Sequence, residues 1–109
     1  MAWTSLCELG ELEEGKGKYV EIGGFQLAVF LSGGAVYAID NTCPHAGGNL
    51  AAGFVEDGCA VCPWHYWAFH LNNGRLRDVP GVAVTTYKTR TLQPPEGKPP
   101  IVQADLPIF

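Results

Sequence analysis

Two short segments carry the residues able to do metal chemistry: Cys43 and His45 in Cys-Pro-His, and Cys62 and His65 in Cys-Pro-Trp-His. Each segment offers one thiol and one imidazole. Thiolates favour iron and zinc, imidazole suits either metal, and nothing here resembles the all-oxygen shell of calcium or magnesium. The pattern predicts a transition-metal site. A structural zinc is one occupant of such a donor set, but its two cysteines usually lie close together in sequence, and its two histidines likewise. Here every segment mixes the two donor types.

That mixed spacing, Cys-x-His followed by Cys-x2-His, resembles the Rieske family. The resemblance extends through Cys62-Pro63-Trp64-His65, Trp67, Phe69 and the turn Asn73-Gly74, and loosely over most of the chain. It implies one 2Fe–2S cluster clamped by two loops, with Cys43 and Cys62 on the inner iron and His45 and His65 on the outer one. It also implies a proline-bearing loop over the cluster, for which Pro80 is the match; the plain alternative is an ordinary turn proline. High-potential members carry a loop-linking disulfide, whose positions here are Gly48 and Trp64, and serine and tyrosine hydroxyls, whose positions here are Trp67 and Phe69. Without that bridge and those donors, the potential is expected near the lower end of the Rieske range of about −150 to +300 mV. Histidine ligation further implies a potential that falls at alkaline pH.

The surrounding elements read as strands. Trp3 to Leu9 alternates weakly, as a short edge strand would. Lys18–Ile22, Phe25–Leu31 and Ala35–Ile39 form an antiparallel meander turned at Gly23-Gly24 and Ser32-Gly33-Gly34. Phe25, Leu27, Val29 and Leu31 share one face. After the first ligand loop come a single helical turn within Leu50–Gly53, then Phe54-Val55, a turn at Glu56-Asp57-Gly58, and the strand Cys59–Cys62. The second ligand loop spans Pro63–Tyr66, followed by the strand Trp67–Leu71 and a turn at Asn72-Asn73-Gly74. Val82 to Leu92 reads as one strand. The prolines at 94, 95, 99 and 100 suggest a stiff extended connection to a closing strand at Ile101–Ala104. No stretch sustains a 3.6-residue period. The expectation is an all-β chain, a Rieske-like antiparallel β-sandwich or barrel. It would form a single domain over residues 1–109, with a small cluster-binding subdomain at about 41–71 inserted between strands.

Composition narrows the function. The chain has 109 residues and a net charge of −4, which argues against nucleic-acid binding. Its start lacks a basic region followed by an apolar run, and its longest strongly apolar run, Leu27 to Leu31, cannot span a bilayer. A soluble, cytoplasmic protein with no membrane partner is expected. Cys7 and Cys59 then read as small buried hydrophobes. Cys59-Ala60-Val61-Cys62 matches a redox dithiol spacing, but strand alternation would point the two thiols to opposite faces. His70 reads as a partly exposed strand histidine, and Trp64 and Trp67 as packing beneath the ligand loop. Glu11, Glu13 and Glu14 read as a solvated loop, with a partner-docking patch as the alternative.

A Rieske oxygenase would need a catalytic domain after this module, and a respiratory complex would need an anchor; neither is expected in this chain. The resemblance thus implies a soluble Rieske ferredoxin, not itself an enzyme. It would pass single electrons from a flavin-dependent reductase to a terminal oxygenase or similar oxidoreductase. The alternative is a permanently docked small subunit, similar to that of assimilatory nitrite reductase. A zinc-stabilised binding module is the remote third.

Overall fold

A four-stranded antiparallel sheet lies at the centre, and its two faces bury different things. The computed structural model describes residues 2–43, 48–64 and 66–107. Strands β2 (Gly17–Ile22), β3 (Phe25–Ser32) and β4 (Ala35–Asp40) form the expected meander. Gly23 and Gly24 have φ of 57° and 85°, and Gly33 and Gly34 have 60° and 80°. Left-handed values at both central residues match the right-handed twist of the flanking strands, so both hairpins close in two residues.

Alternation on β3 sends residues to opposite sides. Leu27 and Val29 pack with Ala38, Val102, Ala104 and Leu106, while Ala28 and Phe30 pack with Ile39, Leu50, Phe69 and Leu76. The first core is closed by a three-stranded sheet in which β1 (Ala2–Glu8) and β9 (Thr89–Leu92) flank β10 (Ile101–Leu106). The second core lies under a smaller sheet of three-residue strands, β5 (Phe54–Glu56), β6 (Cys59–Val61) and β7 (Ala68–His70). All strand pairings between named strands are antiparallel. Two 3-10 turns, Leu9–Glu11 and Leu50–Ala52, complete the described residues, which contain no α-helix. The all-β expectation holds, with the sheets stacked as open antiparallel layers.

Two expectations fail in the C-terminal third. Val82 to Leu92 is not one strand. Val84 donates its N–H to the Gly74 carbonyl, and the Val82 carbonyl accepts from Leu76, so this part pairs back on the preceding segment. Only Thr86–Tyr87 (β8) joins β4; beyond Lys88 the chain changes sheets and pairs with β10. The proline segment is a hairpin loop, not a stiff connection. Gln93 Nε2 donates to the Lys98 carbonyl at 2.7 Å, and Glu96 and Gly97 turn the chain with φ of 64° and 71°.

Candidate metal centre

Two cysteine-bearing loops leave the second core, and each is closed by a backbone hydrogen bond from its cysteine. In the first, the Cys43 N–H donates to the Gly48 carbonyl at 2.9 Å; in the second, the Cys62 N–H donates to the Trp67 carbonyl at 2.7 Å. Each cysteine therefore opens a loop that closes on the residue five positions later. In the second loop, the Tyr66 N–H also donates to the Cys62 carbonyl at 2.9 Å, and Tyr66 takes a left-handed φ of 58°. Such a conformation is unfavourable for a bulky side chain and is held here by the loop's own hydrogen bonds.

The loops start from rigid supports. Cys62 directly follows β6, and Cys43 follows β4 after Asn41 and Thr42. Asn41 is buried and clamps both ends of the first loop. Its N–H donates to the Gln26 carbonyl, its carbonyl accepts from Leu50, and its Oδ1 accepts from Ala51, each at 2.9 Å. An isolated bridge between Thr42 and Asn49 narrows the neck further. Reading the sequence alone passes over Asn41, because Asp40-Asn41-Thr42 looks like any polar lead-in. The one signal is that asparagine readily bonds nearby backbone.

The structure brings the two cysteine loops together. Cys43 and Cys62 are each 1% exposed and share one apolar cluster with Phe30, Leu50, Phe69 and Leu76. Gly48, at the end of the first loop, lies against the second: a Cβ there would sit 2.8 Å from Cys62 Sγ and 3.4 Å from Cγ and Cδ2 of the Trp64 ring. Gly48 and Trp64, the positions where the resemblance would place a disulfide, are thus neighbours in space. His45 and His65 lie outside the described residues, so their expected ligand role stays an expectation from sequence.

Other expectations divide. Trp67 is half-buried against the second core as predicted, but Trp64 is 58% exposed and leans on Gly48 instead of packing beneath the loop. Cys59 faces the small cluster of Val61 and Ala68, whereas Cys62 faces the second core, so the Cys-x-x-C pair points to opposite sides. Burial pushes the Cys7 and Cys59 thiols up from their ordinary value, as suits buried hydrophobes. His70 is half-buried on β7 with Nδ1 3.4 Å from Cys59 Sγ. Pro80 is exposed, in the loop that follows the Arg77 N–H bond to the Ala68 carbonyl.

Comparison with known proteins gives this geometry its family. A model of the Rieske [2Fe-2S] domain matches residues 2–88. The chain belongs to the Rieske [2Fe-2S] domain family. It is 38% identical over 80 residues to the cholesterol 7-desaturase nvd of Hemicentrotus pulcherrimus, a match over 72% of this chain and 17% of that protein. The chain spans about a sixth of the length of that curated relative. It is 32% identical over 80 residues to the ferredoxin component of biphenyl 2,3-dioxygenase from Rhodococcus jostii RHA1, covering 73% of this chain and 75% of that one. Among solved structures, the small subunit assigned to an NADH-dependent nitrite reductase of Mycobacterium tuberculosis superposes with a TM-score of 0.84 at 32% identity. That superposition covers 98% of this chain and 97% of the other.

A Rieske domain implies a Rieske-type 2Fe–2S cluster. The described residues fit such a group. Two buried thiols converge from two loops, and the backbone approaches so closely at Gly48 that no side chain could be added without displacing Cys62 Sγ. Soft thiolate donors in an apolar setting suit an iron–sulfur group.

Proposed function

We propose that this chain is a one-electron carrier whose 2Fe–2S cluster is held by Cys43 and Cys62 on one iron and His45 and His65 on the other. When bound, the cluster supplies reversible one-electron reduction. The chain's own residues hold it: Asn41 and the Thr42–Asn49 bridge brace the first loop, β6 and β7 brace the second, and the second core keeps water from the thiols. The observation that carries the reading is the contact of the two matched cysteine loops through Gly48. One domain over 1–109, with the cluster-binding part at about 41–71, is the organisation we infer.

The electrons would come from a flavin-dependent reductase and go to a terminal oxygenase or similar oxidoreductase. The relation to a dioxygenase ferredoxin component supports this direction. We place the protein in the cytoplasm, with no organic substrate of its own. Among the described residues, no helix is long and apolar enough to cross a membrane.

The test is direct. Protein from aerobic, iron-replete cells should be brown, with two irons and two sulfides per chain, as a Rieske centre requires. It should restore electron flow between a reductase and an oxygenase stripped of their own carrier. A colourless protein with one bound zinc would sink the proposal. A second reading, a permanent small subunit of a larger oxidoreductase, is favoured by the near end-to-end superposition on the nitrite reductase small subunit. Stable co-purification with a large subunit would select it.

A further inference from the structure

Two thiols that share one iron need a fixed spacing, yet Cys43 and Cys62 hang from different sheets. Cys43 follows β4 of the central sheet, and Cys62 follows β6 of the small one. Among the described residues, no strand pairing joins β4 to β6. With three residues, β6 also holds little register by itself. Neither sheet sets where Cys62 stands relative to Cys43.

The segment from Gly48 to Gly53 does so. At one end, Gly48 lies against Cys62 Sγ, as described above. At the other, a Cβ on Gly53 would run into the Val61 carbonyl oxygen and come within 3.3 Å of the Leu50 oxygen. Gly53 has a φ of −84°, a value open to any residue, so glycine is required here by space and not by conformation. The two contacts, from positions five apart, fall on consecutive residues, Val61 and Cys62. One contact would limit how near the loops come; two also fix the tilt of the end of β6. The segment is itself anchored. Asn41 accepts the Leu50 and Ala51 N–H groups, each at 2.9 Å, and Leu50 is fully buried in the second core beside both cysteines. The Ala52 and Gly53 N–H groups close the 3-10 turn on the Asn49 and Leu50 carbonyls at 3.1 and 3.0 Å. All of these bonds lie outside the two ligand loops.

We propose that Gly53 is a positioning residue for the cluster: its missing side chain lets the Leu50–Ala52 turn seat against the Val61 carbonyl, and this presets Cys62 against the loop of Cys43 before the cluster binds. This rests on the electron-carrier reading above and names what prepares its site. A side chain at Gly53 parts the two loops. Water admitted beside the thiolates favours the more negative, reduced state, so the midpoint potential rises.

Gly53→Ala tests this in the cluster-loaded protein, against Val102→Ala, which opens a cavity in the first core on the far side of the central sheet. Both variants should lower the unfolding midpoint. Only Gly53→Ala should shift the electron paramagnetic resonance g-values of the reduced cluster and raise its midpoint potential. It should also speed iron loss to a chelator by about tenfold, the factor that about 1.4 kcal/mol of overpacking represents. The wild-type chain stripped of its cluster gives a second measurement that needs no variant. There the Leu50, Ala51 and Gly53 amides should exchange slowly while those of the ligand loops exchange fast. Unchanged g-values, potential and iron loss in Gly53→Ala, or the same changes in Val102→Ala, would overturn the proposal. So would fast exchange at Leu50, Ala51 and Gly53 in the stripped chain, which also decides the matter if Gly53→Ala does not fold. A wild-type chain that takes up no iron–sulfur cluster would instead overturn the carrier reading, and this inference with it.

Discussion

The central meander and the small β5–β7 sheet are both antiparallel, yet they are held in opposite ways. In the meander, strands of six to eight residues are joined by two-residue glycine turns, and β3 is buried on both faces. Its register is set locally, by turn geometry and by alternation. In the small sheet, each strand has three residues, and the β6–β7 connection that carries Cys62 is longer than either strand. Short strands bury too little to hold their own register. They depend on the core beneath them and on the ties between the two cysteine loops. The meander is a platform that the chain makes alone; the ligand end is a structure that its neighbours and its metal complete.

Changes that remove donors from the ligand end should have the largest effect and should leave the platform standing. Cys43→Ser or Cys62→Ser replaces a soft thiolate with a poorly ionised hydroxyl, and iron and sulfide content should fall to near zero. Far-ultraviolet circular dichroism should change little, while amide exchange should speed up in both loops as metal binding no longer contributes to their order. Global unfolding in these variants would show that the two regions are not separable as described.

Gly48→Ala should come next. The added methyl meets Cys62 Sγ, so the loops must part, and overpacking of this kind costs about 1–3 kcal/mol. Gly10→Ala, where nothing lies within 4 Å of the added carbon, is the control and should be silent. Cluster content and thermal midpoints of the two variants measure the difference.

Asn41 joins the regions, since it bonds β3 through Gln26 and the ligand end through Leu50 and Ala51. Asn41→Ala leaves the Ala51 N–H without its acceptor, at a cost of about 1–3 kcal/mol. Asn41→Asp keeps the acceptor and should recover most of the loss. The readouts are denaturant midpoint and the rate of iron loss to a chelator. Equal behaviour of the two variants would remove Asn41 from the list of loop supports.

The smallest effect belongs to the platform. Tyr87 on β8 donates to Asp40 on β4 at 2.7 Å, and burial, then that bond, raise its hydroxyl above the ordinary value. The folded chain keeps this proton to higher pH than the unfolded chain does. The stabilisation is therefore full below about pH 10 and is lost as pH rises through the native value. Tyr87→Phe should cost about 1 kcal/mol at neutral pH. It should also flatten the decline in unfolding midpoint above about pH 10. Cluster content should be unchanged.

What the sequence determined by itself is what depends on near neighbours in the chain. The meander, its glycine turns, the opposite facing of Cys59 and Cys62, and the two Cys-Pro segments as loop openings all follow from alternation, turn chemistry and spacing over a few residues. Tertiary structure decided whatever needed a distant partner. Val82 to Leu92 alternates like one strand, but its hydrogen bonds go to three different places, Gly74 and Leu76, then β4, then β10, so it breaks where its partners change. The prolines beyond it look stiff until Gln93 folds the loop by reaching Lys98. Trp64 reads as packing beneath the ligand loop, yet its ring lies exposed against Gly48 of the other loop. Asn41 reads as a polar spacer until Gln26, Leu50 and Ala51 arrive around it. A pattern states which groups need partners; only packing selects which partners they get.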